Sequence, residues 1–136
     1  TVLIIIYFRN APTFDVIAPA GEYLGGAICP GVMISSEALF QKASRLPRVE
    51  IFSAPENVIG TDTIGSMQSG IIHGNAAMVD GMVERMRQEL PHPIKIIATG
   101  GLAPLIAGLS TTIETVDQSL TLEGLRIIAC EPDQTA

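Results

Sequence analysis

The residues with the clearest chemical potential lie around a glycine pair. Ile94 to Ala98 is apolar apart from Lys95 and runs through Thr99 into Gly100-Gly101, after which Leu102 to Leu109 has the composition of a short helix. A strand, a glycine pair and a helix start bring backbone N–H groups together with little side-chain bulk, so that a phosphate or a nucleotide can approach the main chain. Glycines at such a turn often serve the turn alone, and the pattern has low specificity by itself. A second polar cluster, Thr61, Asp62 and Thr63, precedes the longest helical pattern in the chain, where Asp62 or Thr63 is the expected N-cap. His73 lies inside that pattern without a carboxylate at i+3 or i+4; Asp80, at i+7, can share its face, and the histidine reads as structural. Cys29 and Cys130 stand about a hundred positions apart, and neither they nor His73 and His92 have the spacing of a disulfide framework or a zinc site. No P-loop, GxGxxG, GxSxG or HExxH is present. The residues alone therefore assign no catalytic side chain and no metal ligand.

The elements that must position these groups follow from periodicity. Val2 to Phe8 is β-branched and aromatic, and Thr13 to Ala18 alternates after Pro12, so two strands joined by a tight connection are predicted. Pro19 to Gly21 turns the chain, and Glu22 to Leu24 predicts a third short strand ending at Gly25-Gly26, in an antiparallel meander. Val32, Leu39, Ala43 and Leu46 recur at helical spacing and Pro47 stops them, which predicts a helix over about 32–46. Val49 to Phe52 reads as a short strand and Ala54 to Gly60 as a loop. From Asp62 or Thr63 to Pro91, Met67, Ile71, Met78, Met82 and Met86 line one helical face, and Arg85 and Glu89 pair on the other. Gly70, Gly74 and Gly81 each cost roughly 1 kcal/mol against Ala in a helix, and they predict either close packing of another element or a kinked or split helix. After a Ser/Thr-rich loop around Ser110 to Thr115 the last helix is predicted over about Leu122 to Cys130, with Asp133 to Ala136 frayed. The order β-β-β-α-β-α-β-α predicts one α/β domain, a mixed sheet with helices packed on it.

Composition narrows the function classes. The chain has 136 residues, 47% hydrophobic and 16% charged, which suits one domain and excludes a disordered segment. A net charge of −6 with scattered basic residues would repel a phosphate backbone, so nucleic acid is not an expected partner. The apolar stretch Val2 to Phe8 is too short to span a bilayer and lacks preceding basic residues, so neither a membrane span nor a signal peptide is expected, and the cytoplasm is the expected location. The sequence opens at Thr1 without an initiator Met and runs directly into this stretch, as a piece of a longer chain would.

Several ordered blocks carry a resemblance. They are TFDVIAPAGEYLGGAICPG at 13–31, Leu39, Leu46-Pro47, IGTDTIGSMQSGIIHGNAAMVDGM, IIATGGLAPLI and LTLEGL. Together they resemble the C-terminal half of type III pantothenate kinase, covering residues 1–136 nearly throughout, with the N-terminal half absent. The resemblance implies a ribonuclease-H-like half of the acetate and sugar kinase, Hsp70 and actin superfamily. It implies ATP-dependent phosphorylation of pantothenate, the first step of coenzyme A synthesis, with a divalent cation accompanying ATP, a monovalent cation such as potassium or ammonium, and a homodimer. By the same resemblance Thr63 contacts pantothenate; Asn10, Thr99, Gly100 and Gly101 lie on the nucleotide side; and the glycine-bearing helix is a dimer contact.

The departure falls at residues 7–12. The family pattern Asp, Phe, Gly, Thr, Ala, Thr is replaced by Tyr7, Phe8, Arg9, Asn10, Ala11 and Pro12. Tyr7 offers a neutral phenol where the family has a cation-binding carboxylate. Arg9 brings bulk where glycine allows close approach, and it would be strained at positive φ. Asn10 keeps hydrogen-bonding capacity, and Pro12 removes a donor. With these changes and no N-terminal half, the chain alone is expected to be inactive. The alternative is a non-catalytic actin-like half that dimerises and binds nucleotide weakly.

Overall fold

The computed structural model describes residues 1–43, 45–51, 53–90 and 93–131. Its first strand, β1 (Val2–Tyr7), alternates buried and half-buried residues and lies at the centre of a five-stranded sheet ordered β3-β2-β1-β4-β5. β2 (Thr13–Ile17) pairs with β1 antiparallel, and β3 (Tyr23–Ile28) pairs antiparallel with β2. On the other side β4 (Ile94–Thr99) runs parallel to β1, and β5 (Thr115–Val116) runs parallel to β4. The helices are α1 (Val32–Lys42), α2 (Thr63–Glu89), α3 (Ala103–Ala107) and α4 (Leu120–Cys130). A mixed sheet carrying helices is the predicted class.

One face of the sheet holds the core. Val2, Ile4, Ile6, Phe14, Val16, Ile96 and Ala98 project into it by strand alternation, and Ile71, Ile72, Ala76, Val79 and Val83 meet them from α2. Ala103 and Ile106 close the core from α3. α2 has 27 residues, about 40 Å at 1.5 Å per residue, against roughly 20 Å for a six-residue strand. Its C-terminus leads directly into the start of β4, so its first turns project past the ends of β1 and β4.

The element order differs from the predicted β-β-β-α-β-α-β-α. No strand forms over 49–51, and Phe52 lies outside the described residues. That segment is instead held by side chains, because the Ser36 hydroxyl donates to the Val49 carbonyl (3.3 Å) and the Gln68 amide to the Glu50 carbonyl (3.3 Å). β5 was hidden in the Ser/Thr-rich loop, since a two-residue strand is too short for any periodicity. Gly25-Gly26 sits inside β3 rather than ending it. A Cβ at Gly26 would overlap the Phe14 carbonyl oxygen, so the glycine allows β3 to approach β2 beside the irregularity at Val16/Ile17. α1 stops at Lys42, short of Leu46, and α4 begins at Leu120. Pro91, His92 and the end expected to fray at Asp133 to Ala136 lie outside the described residues.

α2 is neither split nor approached closely by another element at its glycines. Among the described residues a Cβ at Gly70 or Gly74 would meet nothing within 4 Å, and one at Gly81 would meet only the Arg85 guanidinium of the same helix. Gly70 and Gly74 are exposed and Gly81 is half-buried. Ile72→Ala, in the core, is expected to lower the unfolding free energy by about 2–5 kcal/mol. Gly74→Ala is expected to raise it by up to about 1 kcal/mol. Urea denaturation of the two variants beside the unaltered chain measures both.

Candidate functional site

Two polar loci lie on the side of the sheet where β1 and β4 end. The first is built by strand pairing. β1 and β4 are parallel neighbours in register from Val2 with Ile94 to Tyr7 with Thr99. Beyond that last pair the chain from β1 turns toward β2 and the chain from β4 turns into α3, so two connections leave the sheet at this end. The Phe8 N–H donates to the Thr99 carbonyl at 2.9 Å, extending the ladder by one bond. Thr99 is buried. Gly100 has φ +103, and a Cβ there would overlap the Phe8 carbonyl oxygen, so only glycine fits between the two connections. The Gly100 carbonyl accepts from the Ala103 N–H at 3.1 Å and from the Gln118 amide at 2.9 Å. Gly101 is open, with nothing within 4 Å of where a Cβ would stand. α3 is only five residues long and has proline near its start, so the turn offers ligand access through its backbone more than through a helix dipole.

The opposing connection carries Arg9 and Asn10, both exposed. The Arg9 guanidinium lies 5.4 Å from the centre of the Tyr7 ring. The strain foreseen at Arg9 does not arise, because Arg45 is the one non-glycine residue at positive φ among the described residues. Pro12 is buried at the entrance to β2, where its carbonyl accepts from the Cys29 N–H at 3.0 Å.

The second locus is the start of α2. Asp62, not Thr63, is the N-cap; its Oδ1 accepts from the Gly65 N–H at 2.6 Å, which leaves the hydroxyl of Thr63 free of the capping role. Thr63 lines an open cavity of about 620 Å³ with Thr61, Ser66 and Met67 of the same segment and Leu39 of α1. The loop before Asp62 is strapped to α2: the Ser69 hydroxyl donates to the Val58 carbonyl, and His73 Nε2 lies 2.8 Å from the Pro55 carbonyl oxygen. His73 is thus engaged in holding a loop, as its lack of a carboxylate partner implied. The cavity that Thr63 lines includes none of Asn10, Thr99, Gly100 and Gly101. The strand pairing sets Thr99, Gly100 and Gly101 beside Phe8 at the end of β1, whereas Asn10 lies against Gly31 before α1 and Thr63 lines a separate cavity.

Asp80, which the sequence offered only as able to share a face with His73, has partners of its own. Asp80, midway along α2 and half-buried, accepts from the Ser110 hydroxyl (2.5 Å), the Thr111 N–H (2.9 Å) and hydroxyl (3.1 Å), and the Thr112 N–H (3.3 Å) and hydroxyl (2.6 Å). Burial by itself would raise its carboxyl pKa, but the hydrogen bonds from Ser110, Thr112 and Thr111 outweigh it and hold the group below the usual carboxylate value. A carboxylate on the inner side of a helix and a Ser-Thr-Thr run were both visible in the sequence; their meeting across about thirty positions was not.

A family model described as type III pantothenate kinase matches residues 1–85. The chain belongs to the type III pantothenate kinase family. It is 67% identical to a protein named type III pantothenate kinase from Desulforapulum autotrophicum, over 97% of this chain and 50% of that protein. It is 57% identical to one of the same name from Myxococcus xanthus, over 93% of this chain and 49% of that protein. The chain thus spans about half the length of the curated relatives it matches. A crystal structure named for the Baf family of transcriptional activators, from Campylobacter jejuni, shares the fold with a TM-score of 0.61 at 20% identity, over 93% of this chain and 55% of that one.

Within this pantothenate kinase family chain the Asp80 carboxylate links folding to pH. A group whose pKa is lowered on folding stabilises the native state above its unfolded pKa, and that contribution disappears as pH falls through the folded pKa. Asp80→Asn is therefore expected to destabilise the chain at neutral pH. Its unfolding free energy should also fall less steeply than the unaltered chain's on acidification from neutral through and below the usual carboxylate range, as measured by urea melts across pH.

Proposed function

We propose that this chain is the C-terminal half of an enzyme that phosphorylates pantothenate with ATP to 4'-phosphopantothenate, the first step of coenzyme A synthesis. The observation that carries this reading is the 67% identity to a protein of that name across nearly the whole chain. The sheet order, with β1 central and parallel to β4, supports a ribonuclease-H-like half of the actin-like superfamily. In this reading Asn10, Thr99, Gly100 and Gly101 form the nucleotide side, where the open backbone at Gly101 receives ATP with its divalent cation. Thr63 offers its hydroxyl to pantothenate beside the helix start. Phosphoryl transfer depends on positioning and charge stabilisation, so both halves of the cleft are required and this half alone is inactive.

The residues present do not fit the family's monovalent cation. Tyr7 supplies no carboxylate, and the Arg9 guanidinium beside its ring adds positive charge at the same place. No step is assigned to such an ion. The enzyme is proposed to work as a cytoplasmic homodimer. The outward face of α2 at Gly70 and Gly74, where backbone is open to approach, supports a dimer contact there. The same Tyr7 and Arg9 favour a second reading, a non-catalytic actin-like half that dimerises and holds nucleotide weakly.

Pantothenate-dependent ADP formation separates these readings. The complete parent protein is expected to show it and the 136-residue chain to lack it; a parent without it supports the non-catalytic reading, and an active short chain removes the requirement for two halves. In the active parent Thr63→Val is expected to raise KM for pantothenate roughly 10-fold, the scale of one lost polar contact, with KM for ATP unchanged. Steady-state kinetics with each substrate varied in turn measures this.

A further inference from the structure

We propose that Asp80 is a positioning residue for the nucleotide side of the site: by gripping the loop Ser110–Thr112 it fixes α3, and through α3 the Gly100-Gly101 turn, against α2. The proposal rests on the assignment of that turn to ATP.

α3 is weak as a helix. A helix of five residues lies far below the length at which a helix holds itself together. It buries Ala103 and Ile106, packs Leu102, Leu105 and Leu109 less deeply against the same core, and is further located by what fastens its two ends. The first end is fastened at Gly100, whose carbonyl takes the Ala103 N–H and the Gln118 amide. The second end runs through Leu109 into Ser110, where Asp80 grips the loop that leads on to the pairing of β5 with β4. Both carboxylate oxygens are used, Oδ1 by Ser110 and Thr112 and Oδ2 by Thr111. The Ser110 hydroxyl that donates to Asp80 also accepts from the Thr112 N–H (3.1 Å) and the Ile113 N–H (3.1 Å), so the loop is folded around the bond that grips it.

The anchor belongs to a long, continuous element. Asp80 sits on the same unbroken helix as Thr63, roughly 26 Å along its axis at 1.5 Å per residue. α2 therefore carries the residue assigned to pantothenate at one point and the clasp on the nucleotide-side helix at another. Losing the clasp loosens the far end of α3, and the motion carries along this short helix to Gly101 at its near end while the start of α2 stays in place. A group that only stabilised the fold would lower the melting temperature and the active fraction without selecting one substrate.

The test uses the complete parent protein carrying Asp80→Asn, Thr112→Val or both, with KM for each substrate, ATP affinity by titration calorimetry and the melting temperature. Asp80→Asn is expected to weaken ATP, in KM and in Kd, roughly 10-fold, with KM for pantothenate within about twofold. Thr112→Val should weaken ATP in the same direction by less, and the double variant should weaken it no further than Asp80→Asn alone, because the two side chains act through one contact. A fall in melting temperature with ATP affinity unchanged, or equal losses toward both substrates, overturns the proposal. Should Asp80→Asn fail to fold, Thr112→Val, which leaves the carboxylate its other donors, decides on the same criteria. A parent that binds ATP but does not phosphorylate pantothenate refutes the kinase reading while the ATP affinities still judge the clasp; a parent that binds no ATP overturns both.

Discussion

The structure depends on the parallel pairing of β1 with β4. Their register, Tyr7 opposite Thr99, continues through the Phe8 N–H to the Thr99 carbonyl and forces the backbone after β4 past the Phe8 carbonyl oxygen. Only a residue without a Cβ, in a left-handed conformation, can make that passage, and Gly100 does so. The close seat of the Gly100 turn on the chain leaving β1 is the direct consequence. What stands there follows from register: a slip of β4 by one residue along β1 would turn Ile96 and Ala98 out of the core and carry Thr99 away from Tyr7.

The second organising element is α2, which serves the core and the site with different faces. Ile72, Val79 and Val83 are fully buried against the sheet. Other positions of the helix grip chain segments that have no regular structure: Gln68 holds Glu50, Ser69 holds Val58, His73 meets Pro55, and Asp80 holds Ser110 to Thr112. Polar side chains on a helix interior edge thus satisfy loop backbone that a sheet would otherwise have to pair. This explains why 49–51 needs no strand, and why a histidine inside an amphipathic pattern is structural.

Much of the fold was legible from residue types. The β-branched run Val2 to Tyr7, the alternation after Pro12 and the long apolar stripe of α2 are local patterns with strong periods, and each element formed where its pattern stood. The elements that misled were short or carried their reason elsewhere. Gly25-Gly26 looked like the end of a strand because glycine breaks strands locally, yet its purpose is to admit the Phe14 carbonyl of the neighbouring strand. Gly70 and Gly74 looked like sites of intrachain packing, yet within this chain they face open space. The candidate site was legible to the same degree: Thr99 to Gly101 and the Thr61 to Thr63 cluster announced themselves by composition, while the Asp80 clasp did not.

Sequence by itself determined the mixed α/β class, the strong local elements, the turn glycines and the family to which the chain belongs, because all of these reside in local spacing or in ordered blocks of residues. Tertiary structure alone decided that β4 lies beside β1, that Gly100 passes the Phe8 carbonyl while Thr63 lines a separate cavity, and that Asp80 holds a loop about thirty positions away. Those relations arise from pairing and burial between segments distant along the chain, and no period shorter than an element encodes them.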